Sequence, residues 1–479
     1  MTLHETDVAV IGAGSAGLAA YRAVNERGRR ALLIEPGPFG TTCARSGCMP
    51  SKLLIAPADA AHAVSRLPAF GLAAGGPVEV DGRAVMARVR RERDRFVGFI
   101  TAGIDALPAG DVLRGRARFV DDLTLRVGDD VTVRAASVVI ATGSSPAHPA
   151  AWDVLGDRLV TNSEVFEWID LPRRVAVLGP GVMGLELGQA LHRLGVHVVV
   201  YGRGPHVGPL RDPAVLAEAT RLFGAELPLE LGAHVTMARD GDEVVVTSVA
   251  ADGAARVARF DYVLAATGRR PNVGNLGLES TTLELDGRGV PRYDRTTLRC
   301  GTSPIFIAGD ADDDTALLHE AADEGQIAGD NAATYPDVRA GLRRAPLVIV
   351  FTDPQMAIVG GGFDAVRAVP HVTGEVSFER QGRARIMLRN AGLARVYADS
   401  HSGRFLGAEV LGPDAEHLGH LLAWSLQMAL TVVQMLEMPY YHPVVEEGLR
   451  TALRDAQKRV GAVPLPCPGG DGCTEVLMS

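Results

Sequence analysis

Several things are missing from this chain of 479 residues, and each absence narrows what it can do. There is no excess of positive charge. Against 57 Asp and Glu stand 48 Lys and Arg, a formal net charge of -9 with a pI near 5.8. Binding nucleic acid or an anionic membrane as the main task needs a basic face, so neither partner is expected, though a local basic pocket is compatible with this balance. The opening run MTLHETDVAVIGAG has no basic region and no long apolar stretch, so no secretory signal is read there. A membrane span is not expected either. The most apolar segment, Leu421 to Met438, carries Ser425, Gln427, Gln434 and Glu437, and that carboxylate in lipid would be costly. A helix in a core or subunit interface is the expected alternative. Cysteine is scarce: five in a chain this long make no disulfide framework. Close pairs among them point to catalysis or metal binding in a reducing cytosol, so the cytoplasm is the expected compartment.

What is present is an ordinary globular composition, 47% hydrophobic and 22% charged, at a length that calls for two to four domains. Two segments about 170 residues apart look alike: DVAVIGAGSAGLAAYRAVNERGRRALLIEPG from Asp7, and RVAVLGPGVMGLELGQALHRLGVHVVVYGRG from Arg174. Each has an apolar run, a three-glycine turn, a helical stretch and a second apolar run. That is a βαβ unit whose first turn binds a dinucleotide. One such turn is weak evidence, whereas two in the same frame are strong. Further apolar runs, SVVIATG from Ser137, YVLAATG from Tyr262 and IFIAGD from Ile305, read as buried strands closing beside a nucleotide. Thr142 and Gly143 end the first of these, Gly268 the second, and Gly309 and Asp310 the third. The stretches Thr142 to Pro149 and Arg269 to Asn272 read as exits from the two domains. From about Pro346, alternating strands (SFERQGRARIMLR, then LARVYAD) followed by helices suggest an α+β domain.

The two turns part company at the end of the second apolar run. Gly12, Gly14 and Gly17 let the backbone approach a pyrophosphate resting on a helix N-terminus, and Glu35, eighteen residues after Gly17, is placed to hold a ribose hydroxyl. The same offset from Gly184, in the set Gly179, Gly181 and Gly184, lands on Gly202, with Arg203 next. Losing the acid and gaining a guanidinium suits a 2′-phosphate. So the first site suits FAD, and the second NADPH in preference to NADH. His206 and Arg211 are possible helpers, and Arg203 as a plain surface charge is the alternative.

After Glu35 comes FGTTCARSGCMPSK, with Cys43 and Cys48 five apart. Three readings compete. Zinc would need two further ligands, and none stands nearby at ligand spacing, so no metal site is expected. Two inert buried thiols are the bland reading. The third is a disulfide opening a helix that starts near Pro50, where the helix N-terminus and Lys52 would stabilise thiolates.

This segment resembles the redox motif of the pyridine nucleotide–disulfide oxidoreductases, the family of dihydrolipoamide dehydrogenase, glutathione reductase and mercuric reductase. The likeness extends over nearly the whole chain. It implies an α/β fold with two Rossmann-like dinucleotide-binding domains and a C-terminal α+β dimerisation domain. The implied segments are an FAD-binding domain in two parts (1–145 and 272–345), an NAD(P)-binding domain (146–271) and an interface domain (346–462), while the stretch rich in Pro, Gly and Cys from about Val463 reads by its composition as a flexible tail (463–479). It also implies that Cys48 is the thiolate against the flavin, Cys43 the thiol that attacks substrate, and that Lys52 sits by the flavin paired with Glu186. Asp310 and Gly309 match the positions holding the ribityl chain. His319, in LLHEAADEGQIAGDNA, is expected to pack against the flavin. Thr41, where the family usually has glycine, and Arg45, where asparagine is frequent, depart from the pattern.

Near the end, MPYYHPVVEEGLRTALRDA carries His442, Pro443 and Glu447 in the family's acid–base spacing, with Val444 replacing a threonine. A histidine titrating near neutrality can move a proton between thiols, and a carboxylate orients it. The family places this dyad over the partner subunit's disulfide, which implies a homodimer, and its His-Pro bond is commonly cis. The expected activity is NADPH-linked, FAD-dependent reduction of a small-molecule or protein disulfide. The alternatives are an NAD-dependent dihydrolipoamide dehydrogenase, a mercuric or other metal-ion reductase, and a non-catalytic flavoprotein whose thiols bind a metal or partner. Cys467 and Cys473 form either a second, shuttling pair or two free thiols. Cys300 reads as structural.

Overall fold

The computed structural model describes residues 2–73, 75–76, 78–250 and 253–461. Cys467 and Cys473 lie outside the described residues. Two compact units form, one from Met1–Pro205 with Leu227–Arg343, the other from His206–Glu226 with the chain from Arg344.

The first unit holds two largely parallel sheets. In one, Thr2–Ile11 lies between Ala31–Glu35 and Val131–Ile140, with Ile305–Ile307 beyond, all parallel. Val112–Arg114 adds a parallel edge, and Thr124–Val127 and Ala117–Asp121 complete the seven strands in antiparallel fashion. The central strands are covered on both faces, which is why VAVI, ALLI and SVVI run apolar without alternation. Their register sets Ile34, Ile11, Ile140 and Ile307 in one row. Glu35, Gly12, Ala141 and Ala308 therefore stand together at the carboxyl edge, where open parallel sheets bind ligands.

The second sheet repeats the arrangement with Leu229–Leu231, His197–Gly202, Arg174–Leu178, Tyr262–Ala265 and Leu159–Val160. Tyr201, Leu178 and Ala265 share a row, so Gly202, Gly179 and the chain after Ala265 meet at its carboxyl edge. The two stretches read as domain exits pair with each other: Ser144–Pro146 and Arg269–Pro271 form an antiparallel ribbon.

The second unit is a five-stranded antiparallel sheet, in the order Leu347–Val350, Gln355–Val359, Phe405–Gly412, Leu393–Asp399 and His371–Ser377. Phe405, Val410, Leu418, Leu422, Leu449 and Leu453 are among the side chains of its core. The segment His206–Glu226 belongs here because its polar groups are satisfied here. Fully buried Asp212 binds Arg395 and Tyr397, each at 3.0 Å, and buried Glu409 accepts the Arg211 and Asp212 backbone N–H groups.

Two local expectations are corrected. SFERQGRARIMLR is not a strand. It folds as a 3₁₀ turn over Phe378–Arg380 and a short helix over Gly382–Ile386, because Ser377 and Gln381 cap those turns through their side chains. The apolar run Leu421 to Met438 is not one helix. It breaks at Ala429, whose φ is +54°, into Ala415–Gln427 and Val432–Leu436, the latter opened by a Thr431/Gln434 capping box. Leu422 and Met435 face the core while Trp424 and Met428 are exposed.

Candidate active site

At the first carboxyl edge, Gly14 caps the Ser15–Glu26 helix and Gly17 allows that helix to touch the turn. A Cβ on Gly17 would sit 1.8 Å from the Gly12 carbonyl oxygen, so nothing larger than glycine fits. Glu35 is fixed by two backbone donors, Ala13 N–H at 2.9 Å and Gly37 N–H at 2.8 Å. A cavity of about 1090 Å³ opens over these residues, lined also by Thr142, Gly143, Ser163 and Arg93. Thr142 Oγ1 is buried there without a hydrogen-bond partner among the described residues. A buried hydroxyl needs a partner, and together with the glycine cradle and the fixed acid it fits the ribose and pyrophosphate of FAD.

Asp310 lies on the neighbouring turn, its Oδ2 accepting from Ser144 Oγ at 2.6 Å. Arg269 donates to the Ser144 hydroxyl at 2.7 Å and to its carbonyl at 2.6 Å, so the ribbon fixes the acid's orientation. Glycine at 309, with φ +67°, permits the turn, and its N–H donates to Glu324 Oε2 at 2.8 Å. His319, one turn earlier on the Leu318–Thr334 helix, is half-exposed, with Nε2 3.9 Å from Glu320 Oε1.

The cysteines sit on different helices. Thr41 caps Thr42–Ser46, accepting from Ala44 N–H, and its φ of +54° with ψ 149° is a conformation that favours glycine. Gly47 separates that turn from the 18-residue helix Cys48–Ser65, which opens on Cys48 itself, two residues before Pro50. Both sulfurs are free thiols and in hydrogen-bonding contact. That contact holds the Cys48 thiol down at about 7, with the charge of Lys52 acting in the same direction against burial, and it drives the Cys43 thiol up. The first negative charge therefore settles on Cys48, with Cys43 as its donor.

Lys52, one turn further, reaches Glu186 Oε2 at 2.8 Å. Glu186 is 1% exposed and comes from the helix Val182–Arg193 of the second nucleotide unit. Seven residues along both helices, Asp59 and Arg193 pair at 3.0 Å. The thiol-bearing helix is thus tied at two points to the second nucleotide helix.

At the second carboxyl edge Gly184 repeats the role of Gly17, its Cβ position 2.0 Å from the Gly179 carbonyl oxygen, and Gly181 is the helix cap. Gly268, with φ +112°, follows the adjacent strand. Gly202 ends its strand against Pro180: a Cβ there would lie 2.9 Å from Pro180 Cγ and 3.0 Å from Leu231 Cδ2. Arg203 is exposed.

In the second unit, His442 Nδ1 lies 3.0 Å and 3.1 Å from the two carboxylate oxygens of Glu447. The ring is 81% exposed, and the His442–Pro443 bond is cis, as the resemblance led one to expect. His442 holds the Glu447 carboxyl below the usual range. With Nδ1 oriented by the carboxylate, Nε2 is the nitrogen available for proton transfer.

Sequence reasoning assigned no part to Arg269, Ser144, Arg93 or the Asp59–Arg193 pair. Arg269 had a signal, the RRPN stretch quoted as a domain exit. Ser144 shared that signal, lying in the other exit stretch, Thr142 to Pro149; Arg93 and the Asp59–Arg193 pair come into play through folding alone.

Residues 6–325 match the family described as pyridine nucleotide-disulphide oxidoreductase, and residues 347–453 match its dimerisation domain. The chain is similar to the dihydrolipoyl dehydrogenase of Haloferax volcanii, 31% identical over 466 residues covering 94% of this chain and 96% of that one. It is also similar to the mercuric reductase of Acidithiobacillus ferrooxidans, 32% identical over 460 residues covering 94% and 82%. Among solved structures, LpdA from Mycobacterium tuberculosis matches with a TM-score of 0.80 at 26% identity, covering 95% of this chain and 99% of that one. The Cu(II) complex of RclA from Escherichia coli shares the fold, with a TM-score of 0.80 at 20% identity over 94% and 99%. The chain therefore belongs to the pyridine nucleotide-disulphide oxidoreductases, flavoprotein enzymes acting on sulfur groups.

Proposed function

We propose that this chain is an NADPH-linked disulfide reductase, working as a homodimer in the cytoplasm. The observation that carries the reading is the Cys43–Cys48 contact, in which one thiol is held near neutrality beside Lys52. When bound, FAD supplies the two-electron relay between the nicotinamide and this pair. Glu35, Thr142, Gly143, Gly309 and Asp310 hold it, with His319 alongside. Gly179, Gly181, Gly184, Arg203 and Gly268 hold the nicotinamide dinucleotide. Lys52, held in place by its ion pair with Glu186, keeps a fixed positive charge at Cys48.

The oxidised pair is a Cys43–Cys48 disulfide. Taking up two electrons and one proton, together the hydride equivalent that NADPH gives up, opens it to the thiol on Cys43 and the thiolate on Cys48. His442 of the partner subunit, oriented by its own Glu447, takes the Cys43 proton as that sulfur attacks the substrate disulfide. One substrate thiolate leaves and receives the proton back. Cys48 then displaces the second, which is protonated from solvent, and the Cys43–Cys48 bond re-forms. The net change is one NADPH and one proton consumed per disulfide, giving two thiols.

The NADPH preference rests on the second strand end. An acid at 202 would have to displace Pro180, while Arg203 offers a charge-assisted partner for a 2′-phosphate. A second reading, supported by the 31% likeness to a dihydrolipoyl dehydrogenase, runs the same thiol chemistry in the oxidative direction with NAD. The deciding experiment is NADPH and NADH oxidation by the pure holoprotein across lipoamide, glutathione-type and protein disulfides, and Hg(II). The proposal expects thiol-producing turnover with NADPH well above NADH. Turnover restricted to NADH and lipoamide would transfer the assignment to the second reading, and turnover of Hg(II) without any disulfide would remove both.

A further inference from the structure

Behind the Gly309–Asp310 turn, the first unit buries more acid than its cations neutralise. Asp312 is 5% exposed and Glu324 fully buried. Glu324 Oε2 is used by Gly309 N–H, while Oε1 lies 2.7 Å from Arg343 Nη2 but accepts no aligned hydrogen bond. Asp312 Oδ1 accepts Asp314 N–H at 2.9 Å, and its buried Oδ2 makes no aligned hydrogen bond among the described residues, although the Tyr293 hydroxyl and Glu324 lie within its reach. The two carboxyls are close enough to act on each other directly. Asp314, Tyr293 and the Cys300 thiol also face Asp312, and Glu320 faces the same guanidinium, with His319 3.9 Å from it. Arg343 is shared among Glu324, Glu320 at 3.1 Å and Asp314 at 3.7 Å. Arg295 pairs with Asp314 and Arg288 with Asp313. The helix packed on the other side, Ser15–Glu26, presents Ala16 and Ala20.

An ionised carboxylate only accepts hydrogen bonds. Two neighbouring buried carboxylates, each with an oxygen that receives no aligned hydrogen bond, repel strongly unless a proton lies between them. We propose that Asp312 and Glu324 share one proton, and that this proton braces the Gly309–Asp310 turn, making retention of FAD depend on its presence. A Cβ on Gly325 would lie 2.1 Å from the Ala16 carbonyl oxygen, so the Leu318–Thr334 helix is locked on its neighbour and cannot slide. Repulsion is then passed through the Glu324–Gly309 hydrogen bond into the turn that carries Asp310.

Burial is the main cause pushing the Glu324 carboxyl up to about 8 and the Asp312 carboxyl up to about 6. Both shifts are upward, so the folded chain binds a proton more tightly than the unfolded one. Its contribution is complete on the acid side and is lost as pH rises through the folded value near 8.

The test uses the FAD-loaded protein. Its FAD dissociation constant would be measured from about pH 6 to about pH 10 for the unaltered chain, Glu324→Gln and Asp312→Asn, beside infrared spectra at neutral pH. The expected results are a carbonyl band of a protonated carboxylic acid and a roughly tenfold or greater weakening of FAD binding toward alkaline pH. Glu324→Gln, whose amide copies the protonated acid, should lose the band and flatten the pH profile while binding FAD at neutral pH, and Asp312→Asn should flatten it too. Absence of the band from the unaltered protein overturns the proposal even if a variant does not fold. So does a Glu324→Gln profile parallel to the unaltered one.

Discussion

The two glycine turns have the same backbone and different surroundings. Gly12 and Gly179 have φ of +111° and +110°, and Gly14 and Gly181 match within a degree at φ -78°, ψ -171° and φ -79°, ψ -172°. Both bring a helix N-terminus to a carboxyl edge, which suits any pyrophosphate. The difference lies at the next strand end. There Glu35 is locked by two backbone donors, whereas Gly202 is packed under Pro180 beside Arg203. On the proposed reading, the turn decides that a dinucleotide binds, and the strand end decides which one.

The strongest way to break the comparison is the same lesion in both turns. Gly17→Ala should give a colourless protein without FAD, because the new Cβ meets a backbone oxygen at 1.8 Å. Gly184→Ala, with its clash at 2.0 Å, should leave FAD bound and raise the NADPH concentration needed for flavin reduction by about 100-fold or more, roughly 2.7 kcal/mol. Visible spectra and anaerobic titration check both. If the losses were alike, the division of labour between the turns would be wrong.

The next test uses the pair that joins the two halves. Cys48 should alkylate with a midpoint near pH 7, since its thiol is held down. Lys52→Met should move that midpoint upward, because a positive charge that favours the thiolate is removed. Iodoacetamide rates against pH measure it, and an unmoved midpoint would remove Lys52 from the chemistry. Smaller is Arg203→Ala, which should lower kcat/KM for NADPH by about 10- to 100-fold and leave NADH unchanged, as expected for a charge-assisted contact of about 1.5–3 kcal/mol. Smallest is a repair of the second strand end. Gly202→Glu alone should not improve use of NADH, whereas Pro180→Gly with Gly202→Glu should improve it several-fold. Equal gains with and without the proline change would show that Pro180 has no part in selection.

Much of this was legible before folding because chemistry here is written in short spans. The two turns, the CARSGC segment and the HPVVEE segment each fit within about one helical turn and its cap, so spacing alone carries them. Lys52 carried a further signal that went unused. It is one of two lysines in the chain, with Lys458, among 48 basic residues. Where nearly every cation is arginine, a compact ammonium at that position points to a need for one. The failures have equally local causes. SFERQGRARIMLR imitates a strand until its own side chains cap turns, and Leu421 to Met438 imitates one helix until a positive φ at Ala429 divides it.

The sequence by itself determined the turns, the thiol pair and the missing acid at position 202, because each depends on neighbours along the chain. Only the tertiary structure decided which distant groups answer them. Glu186, 134 residues from Lys52, was named as its partner by resemblance to the family alone, and it is packing that brings the two together. Asp310 is oriented by Ser144 and Arg269, and Asp312 is set beside Glu324, whose Arg343 is shared with Glu320 and Asp314. The reason is physical. Charge and burial act through space, so the state of an acid or thiol depends on what packing brings beside it.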